Sequence, residues 1–309
     1  MIKPPALKEG DRVAVIAPAG PPDREHLNQG IRVLEEMGMN VVIGRHVFDV
    51  EEEEELTAID QKRLTDLEEA LCDPDIRGIF CANGGYGTAK IADMIDYEKV
   101  KSNPKIFWGY SDITYLLNAI QKSSNLVTFH GPMVASDLND EQRTKETLSS
   151  FSPLFTGESI TYASHKSPLN TLTHGKGEGH LVGGNLTLLT NGLGTPYQVD
   201  ASGAILLIED VAEPAFRVDL MLTHLKQAGV FNDVQGVVLG DFQVEGEEFV
   251  RLRKVLQNFF AGASFPVVEN FHIGHCQPNY GVPLGVKSKL TTSPPQLVID
   301  SGVTKSMEV

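Results

Sequence analysis

The sequence predicts an α/β fold, and three observations carry that reading. Short apolar runs that end at glycine, proline or an acid recur along the chain: Arg12-Val13-Ala14-Val15-Ile16-Ala17 before Pro18, Gly78-Ile79-Phe80-Cys81 before Ala82-Asn83-Gly84-Gly85, and Gly203-Ala204-Ile205-Leu206-Leu207-Ile208 before Glu209. Runs of that length bounded by turn formers read as buried strands. Between them stand stretches with helical spacing, such as Leu27, Ile31, Leu34 and Met37, which give a helix one apolar face. The alternation of the two favours a parallel sheet joined by crossover helices.

Taken in order, residues 12–17 form a strand, 23–37 a helix stopped by Gly38, and 40–43 a second extended stretch. A helix over 60–72 carries Leu64, Leu67 and Leu71. It is followed by a strand at 78–81, a glycine-rich loop at 82–87 and a helix from about Thr88. A strand at 105–108 turns through Gly109-Tyr110-Ser111-Asp112 into a helix with Ile113, Leu116, Leu117 and Ile120, and 126–129 adds one more strand. Residues 1–150 therefore read as a doubly wound α/β domain. Over 151–176 Ser, Thr, Pro, Gly and His dominate and periodicity fades, which marks a connecting segment. Residues 177–309 form a second domain: a resumption at 179–197, strands at 203–208 and 236–239, and helices near 215–228 and 246–260. Mostly β and turn follow from Pro266 onward.

Composition bounds the function. The 309 residues are 41% hydrophobic and 22% charged, a globular balance with enough chain to bury a core unaided. Lys plus Arg is 26 against 41 Asp plus Glu, a net charge of −15 with no basic block. That excludes a protein that coats nucleic acid or an anionic membrane, because phosphate binding needs clustered positive charge. The glutamate run at 51–55 reads as a solvated stretch. Cys72, Cys81 and Cys276 are odd in number and contain no C-x-x-C pair, which predicts a reduced, cytoplasmic protein. Met1-Ile2-Lys3-Pro4-Pro5 lacks a signal-peptide core, and the uncharged stretch 179–199 is too rich in Gly, Asn and Thr to span a bilayer.

The most informative segment is Trp108-Gly109-Tyr110-Ser111-Asp112-Ile113-Thr114. A strand turning sharply into a helix at a serine would expose its Oγ at the carboxyl edge of a sheet, beside free helix N–H groups. It resembles the G-x-S-x-G elbow but has Ile113 at the second glycine. Ser111 or Asp112 can equally cap the helix. Asn83-Gly84-Gly85-Tyr86-Gly87 is either a tight turn or a loop that presents N–H groups to an anion. Gly183-Gly184-Asn185 reads as a structural turn. Glu209, ending an apolar strand, is either an exposed loop carboxylate or an acid that orients a histidine. His272-Ile273-Gly274-His275-Cys276 contains zinc-ligand residue types. Gly274 and Pro278 argue against a helix there, and no second pair has ligand spacing, so a loop histidine acting as a base is the other reading.

These pieces, in this order, resemble the LD-carboxypeptidase family of serine peptidases, which also contains the microcin C immunity peptidases. The matching segments are Gly10-Asp11-Arg12-Val13-Ala14-Val15-Ile16-Ala17-Pro18-Ala19, Gly84-Gly85-Tyr86-Gly87, Gly109-Tyr110-Ser111-Asp112-Ile113-Thr114 and His130-Gly131-Pro132. Further on are Gly183-Gly184-Asn185-Leu186, Gly194-Thr195-Pro196, Ile208-Glu209-Asp210-Val211, Gly240-Asp241-Phe242, Gly274-His275 with Pro278-Asn279, and Pro283-Leu284-Gly285. The resemblance implies Ser111 as nucleophile, Glu209 as acid and His275 as base. It implies an oxyanion hole from the backbone N–H of Asp112 and of the Gly84-Gly85 turn. It also implies an N-terminal Rossmann-like domain plus a C-terminal β-rich α/β domain, a homodimer, a murein peptide as substrate, and neither metal nor organic cofactor. Two departures bear on substrate. Asn83 stands where relatives carry Arg, so a charge that would meet a substrate carboxylate is absent. Asp219-Leu220-Met221-Leu222 replaces Asp-Arg-Met-Leu, leaving Arg217 as either a compensating cation or half of a surface ion pair. Asn83, Tyr86 and Arg217 are the candidate substrate contacts.

Overall fold

The computed structural model describes residues 1–49 and 56–305; the glutamate run lies outside the described residues. The chain opens with β1 (Arg12–Ile16), α1 (Arg24–Glu36) and β2 (Asn40–Ile43). Asp23 caps α1 by accepting the His26 N–H at 2.9 Å, which satisfies a donor the first turn leaves free. Leu27, Ile31 and Leu34 are buried, as their spacing requires, and Gly38 takes the left-handed conformation after the helix, at φ +89°.

Next come α2 (Leu56–Cys72), β3 (Ile76–Cys81), α3 (Thr88–Ile91), α4 (Tyr97–Ser102), β4 (Ile106–Gly109), α5 (Thr114–Ser124) and β5 (Thr128–His130). The helix expected from Thr88 is a single turn, because Asp96 starts a new helix by capping Lys99. The five strands are parallel in the order β2-β1-β3-β4-β5, a doubly wound arrangement. β4 is wholly buried, and its Trp108 stacks on Phe151 at 4.7 Å and donates its indole N–H to Pro132 O at 2.7 Å.

The second half runs through α6 (Lys145–Ser149), α7 (Ser152–Thr156), β6 (Ile160–Ala163), β7 (Asn170–Thr173), β8 (Lys176–Asn185), α8 (Leu186–Asn191) and β9 (Ile205–Glu209). It continues with α9 (Ala215–Gln227), β10 (Gly236–Leu239), α10 (Gly246–Phe260), β11 (Val267–Glu269), β12 (Val282–Leu284), β13 (Lys287–Thr292) and β14 (Pro295–Ile299). Eight of these strands form a mixed sheet in the order β6-β14-β13-β8-β9-β10-β11-β7, parallel from β8 to β11 and antiparallel outside.

Two features differ from the sequence reading. The expected connecting segment contains β6 and β7, the two edges of the second sheet. Their side chains alternate or stay half-exposed, so no apolar run announces them. And β12 leaves the second half to pair antiparallel with β5, setting Val282 opposite His130. Each sheet thus borrows strands from beyond its expected boundary. Among the described residues no helix is long and apolar enough to cross a membrane.

Candidate active site

From the buried end of β4 the chain turns at Tyr110 into a short 3-10 stretch, Ser111–Ile113, that runs directly into α5. Ser111 has φ +63°, a left-handed conformation that is costly for a residue with a Cβ. Neither Ser111 nor Asp112 caps α5 with its side chain. The Asp112 carboxylate accepts instead from the Thr88 N–H at 3.0 Å, and Thr88 Oγ1 donates to Asp112 O at 2.6 Å. Ser111 Oγ lies 3.1 Å from His275 Nε2, and His275 Nδ1 lies 2.7 Å from Glu209 Oε2. Glu209 is the last residue of β9 and is fully buried. The structure thus brings Ser111, Glu209 and His275 into one hydrogen-bonded series, across the carboxyl ends of β4 and β9.

The electrostatics set the direction of that series. Burial pushes the Glu209 pKa up, but the His130 and His275 imidazoles that face its two oxygens outweigh it and bring it to about 2. An ionised carboxylate only accepts, so His275 Nδ1 carries the proton and Nε2 accepts from the Ser111 hydroxyl. For His275 burial lowers the pKa. The Glu209 hydrogen bond and charge, with Asp210 and Asp137 adding, turn the net shift upward from 6.5. Asp210 is pushed up to about 6, first by burial and then by the charge of Glu209, against hydrogen bonds from Val211, Thr187 and Asn185.

Glycines make the close approaches possible. Gly274, at φ +103°, lies against Glu209, and a Cβ there would overlap Oε2. Gly183-Gly184-Asn185 is not a turn: it ends β8 and lies on the start of α5. A Cβ on Gly184 would stand 2.8 Å from Thr114 Oγ1, and the Asn185 N–H donates to that oxygen at 3.1 Å. A Cβ on Gly84 would stand 3.0 Å from Ser111 Oγ, so the Gly84-Gly85 backbone borders the serine together with the first-turn N–H of Asp112.

A cleft of about 770 Å³ adjoins His275, Asn83 and Tyr110. Five carboxylates line it, Asp23, Asp137, Glu141, Asp241 and Glu245, with no Lys or Arg among the described lining residues. Asn83 is half-buried on its wall, whereas Tyr86 is 66% exposed and not part of that lining. Arg217 is also absent from it and pairs with Glu213 at 2.7 Å on the surface of α9. His272 and Cys276 do line the cleft. Both ring nitrogens of His275 are engaged, however, and among the described residues no group of three His, Cys, Asp or Glu is placed to hold a metal ion.

Some contributors escaped the sequence reading. Asp137 accepts from Tyr110 Oη at 3.2 Å and from Asn279 Nδ2 at 3.2 Å, and Asn279 Oδ1 accepts the Gly274 N–H at 3.1 Å. This chain ties the His275 loop to the first sheet. The Tyr110 ring stands edge-on to His275 at 4.8 Å. Pro278-Asn279 had been noted only as a motif, and nothing local to Asp137 distinguishes it from any other acid in a loop.

A serine, a histidine and a buried carboxylate in hydrogen-bonded series on a two-sheet α/β frame define a hydrolase of the serine type. Comparison with known proteins narrows the class. Residues 13–131 match the model of the LD-carboxypeptidase N-terminal domain, and residues 178–290 that of the LD-carboxypeptidase C-terminal domain. The chain is 42% identical to a Bacillus subtilis (strain 168) protein named as a probable murein peptide carboxypeptidase, over 98% of this chain and 96% of that one. A muramoyltetrapeptide carboxypeptidase from Oxalobacter formigenes superposes with a TM-score of 0.82 at 29% identity, covering 95% of this chain and all (100%) of the other. The microcin C7 self immunity protein MccF, solved with aspartyl sulfamoyl adenosine, superposes with a TM-score of 0.88 at 25% identity, covering 98% and 100%. The chain belongs to the LD-carboxypeptidase family of serine carboxypeptidases.

Proposed function

We propose that the chain releases the terminal D-alanine of a murein tetrapeptide, cutting after the L-centre of the diamino acid, in cytoplasmic cell-wall recycling. The observation that carries the reading is the Ser111–His275–Glu209 series beside an acidic cleft. Ser111 Oγ attacks the scissile carbonyl carbon while His275 Nε2 takes its proton. Glu209 holds the imidazole and stabilises the imidazolium. The N–H of Asp112 and of the Gly84-Gly85 turn receive the oxyanion. Collapse expels D-alanine, which takes the proton from His275. Water, activated by the same imidazole, then cleaves the acyl-serine.

The cleft supports a murein peptide over an aminoacyl nucleotide. Five carboxylates, with no Lys or Arg among the described lining residues, favour the ammonium group of a diamino acid and repel a phosphate-like linkage. Asn83, through its amide N–H groups, takes the terminal carboxylate that an arginine would otherwise meet.

The test offers the enzyme three substrates: a tetrapeptide ending in D-Ala, its C-terminally amidated form, and aspartyl sulfamoyl adenosine. Trimming of the first alone is expected. Preferred hydrolysis of the adenosine conjugate would replace this reading with an immunity-type peptidase. Binding of the tetrapeptide without turnover would replace it with a peptide-binding module. The homodimer implied by the resemblance belongs to the same proposal, and the mass in solution decides it.

A further inference from the structure

His130 closes β5 and is fully buried. Its backbone pairs with Gly109, two residues before Ser111, so it stands at the level of the strand end that carries the serine. Neither of its ring nitrogens has a hydrogen-bond partner among the described residues, and neither has Glu209 Oε1. Buried polar atoms are seldom left unpaired, and two of these face each other. His130 Nε2 is 3.5 Å from Glu209 Oε1, a few tenths of an ångström beyond a good hydrogen bond. The ring has little room to turn elsewhere. Tyr110 packs on it at 5.6 Å between centroids, and Gly184 approaches so closely that a Cβ would stand 3.3 Å from its Cδ2.

We propose that His130 is a positioning residue: its Nε2–H holds Oε1 of Glu209 and thereby keeps Oε2 on His275. The proposal rests on the reading of Ser111 as nucleophile and His275 as base. A carboxylate held at one oxygen can swing about its Cγ–Cδ bond; held at both, it cannot. The grip also joins the two sheets, since His130 belongs to the one that carries Ser111 and Glu209 to the other. His130 is not a spare base, because the group facing its Nε2 is the carboxylate. Its donor also helps keep Glu209 ionised in a fully buried place. The other ionisable groups around Glu209 and His275 are Asp210 on the same strand end, Asp137, Asp241, Tyr110, Cys276 and His272. All remain in the variants that test the idea.

The experiment compares His130→Gln, which keeps a donor, with His130→Phe and His130→Met, which do not, in the full chain. Each is followed by tetrapeptide kinetics and by NMR titration of the His275 imidazole, assigned with His275→Gln. Without the donor, kcat should fall on the order of 10²-fold, the scale of a misplaced catalytic group, with KM little changed. The His275 titration should move downward, because an Oε2 that is free to swing no longer gives Nδ1 the hydrogen bond that holds the titration up. His130→Gln should recover both. If either donor-less variant that folds keeps the wild-type His275 titration, the proposal is overturned, as it is if His130→Gln recovers neither readout. The titration needs no substrate. A fully active Ser111→Ala variant would instead sink the reading of the site and leave the His130–Glu209 question answered by NMR alone.

Discussion

The end of β4 and the end of β9 each deliver one side chain of the Ser111–His275–Glu209 series, and they are built by opposite means. Ser111 is placed by its own backbone: a positive φ, a sharp turn, and a helix beginning at once. Glu209 ends an ordinary strand, and everything special about it comes from elsewhere in the chain. His130 and His275 face its two oxygens, and Gly274 and Gly240 leave the room it needs. The proposed nucleophile is thus a local construction and the proposed acid a tertiary one. Damage at the first should be confined to chemistry, whereas damage at the second should reach pH dependence and stability as well.

The largest effect is expected at Ser111. Ser111→Ala should lower kcat on the order of 10⁴- to 10⁶-fold, as in other sites whose members act as a unit. Thermal melting should stay close to wild type, because no packing is lost. A loss of under about tenfold would show that another group attacks, since even one oxyanion donor is worth about 10²-fold.

Glu209→Gln sharpens the contrast. By analogy with an amide in place of a triad acid, kcat should fall on the order of 10⁴-fold. His275 must be neutral to take a proton, and Glu209 raises its pKa from 6.5, so wild-type kcat/KM should climb with pH through a value above 6.5. Removing the negative charge should move that rise to lower pH. Stability follows with its own sign. The folded pKa of Glu209 is depressed to about 2 from 4.5, so its contribution is present above 4.5 and lost as pH falls toward about 2. The stability gap between wild type and Glu209→Gln should therefore shrink in that window. Denaturant melts at several pH values read it, and a constant gap would mean that folding does not shift the Glu209 pKa.

The glycines come next. Gly274→Ala pushes directly on Oε2, and a displacement near 1 Å should cost on the order of 10² in kcat. Gly84→Ala meets Ser111 at 3.0 Å, where the neighbour can give by a few tenths of an ångström, so its loss should be smaller. Gly203→Ala, at φ +65° with open space around it, measures backbone strain alone and should leave kcat unchanged. If Gly84→Ala proves worse than Gly274→Ala, the nucleophile side is the less forgiving one and the comparison reverses.

This asymmetry also explains what the sequence disclosed. Strand–turn–helix units such as the one around Ser111 are legible because hydrophobic period and turn chemistry lie within one window, and β2, β10 and α10 coincide with their expected spans. Gly183-Gly184-Asn185 reads in the sequence as a turn and not as an interface, because the partner that demands the glycines, Thr114, is some seventy residues away. β6 and β7 were hidden by being edge strands with short, half-exposed faces that carry little periodicity, and β12, apolar but only three residues long, by having its partner β5 in the other half of the chain. Asp137 and the orphaned nitrogens of His130 could not be found by spacing at all. Their roles exist only once two sheets face each other.

The smallest expected effect separates the two candidate substrate cations' stand-ins, Asn83 and Arg217, one on each half. Asn83 lines the cleft beside the Gly84 turn, and a hydrogen bond to a substrate carboxylate is worth about 1.5–3 kcal/mol. Asn83→Ala should therefore raise KM on the order of tenfold or more with a lesser change in kcat. Arg217 is half-exposed, already paired with Glu213, and outside the cleft lining. Exposed i,i+4 pairs contribute about 0.3–0.5 kcal/mol, so Arg217→Ala should leave both stability and KM within about twofold of wild type. A tenfold rise in KM for Arg217→Ala, without one for Asn83→Ala, would move carboxylate recognition from the loop after β3 to the start of α9. The substrate would then lie across the second half of the molecule rather than along the first.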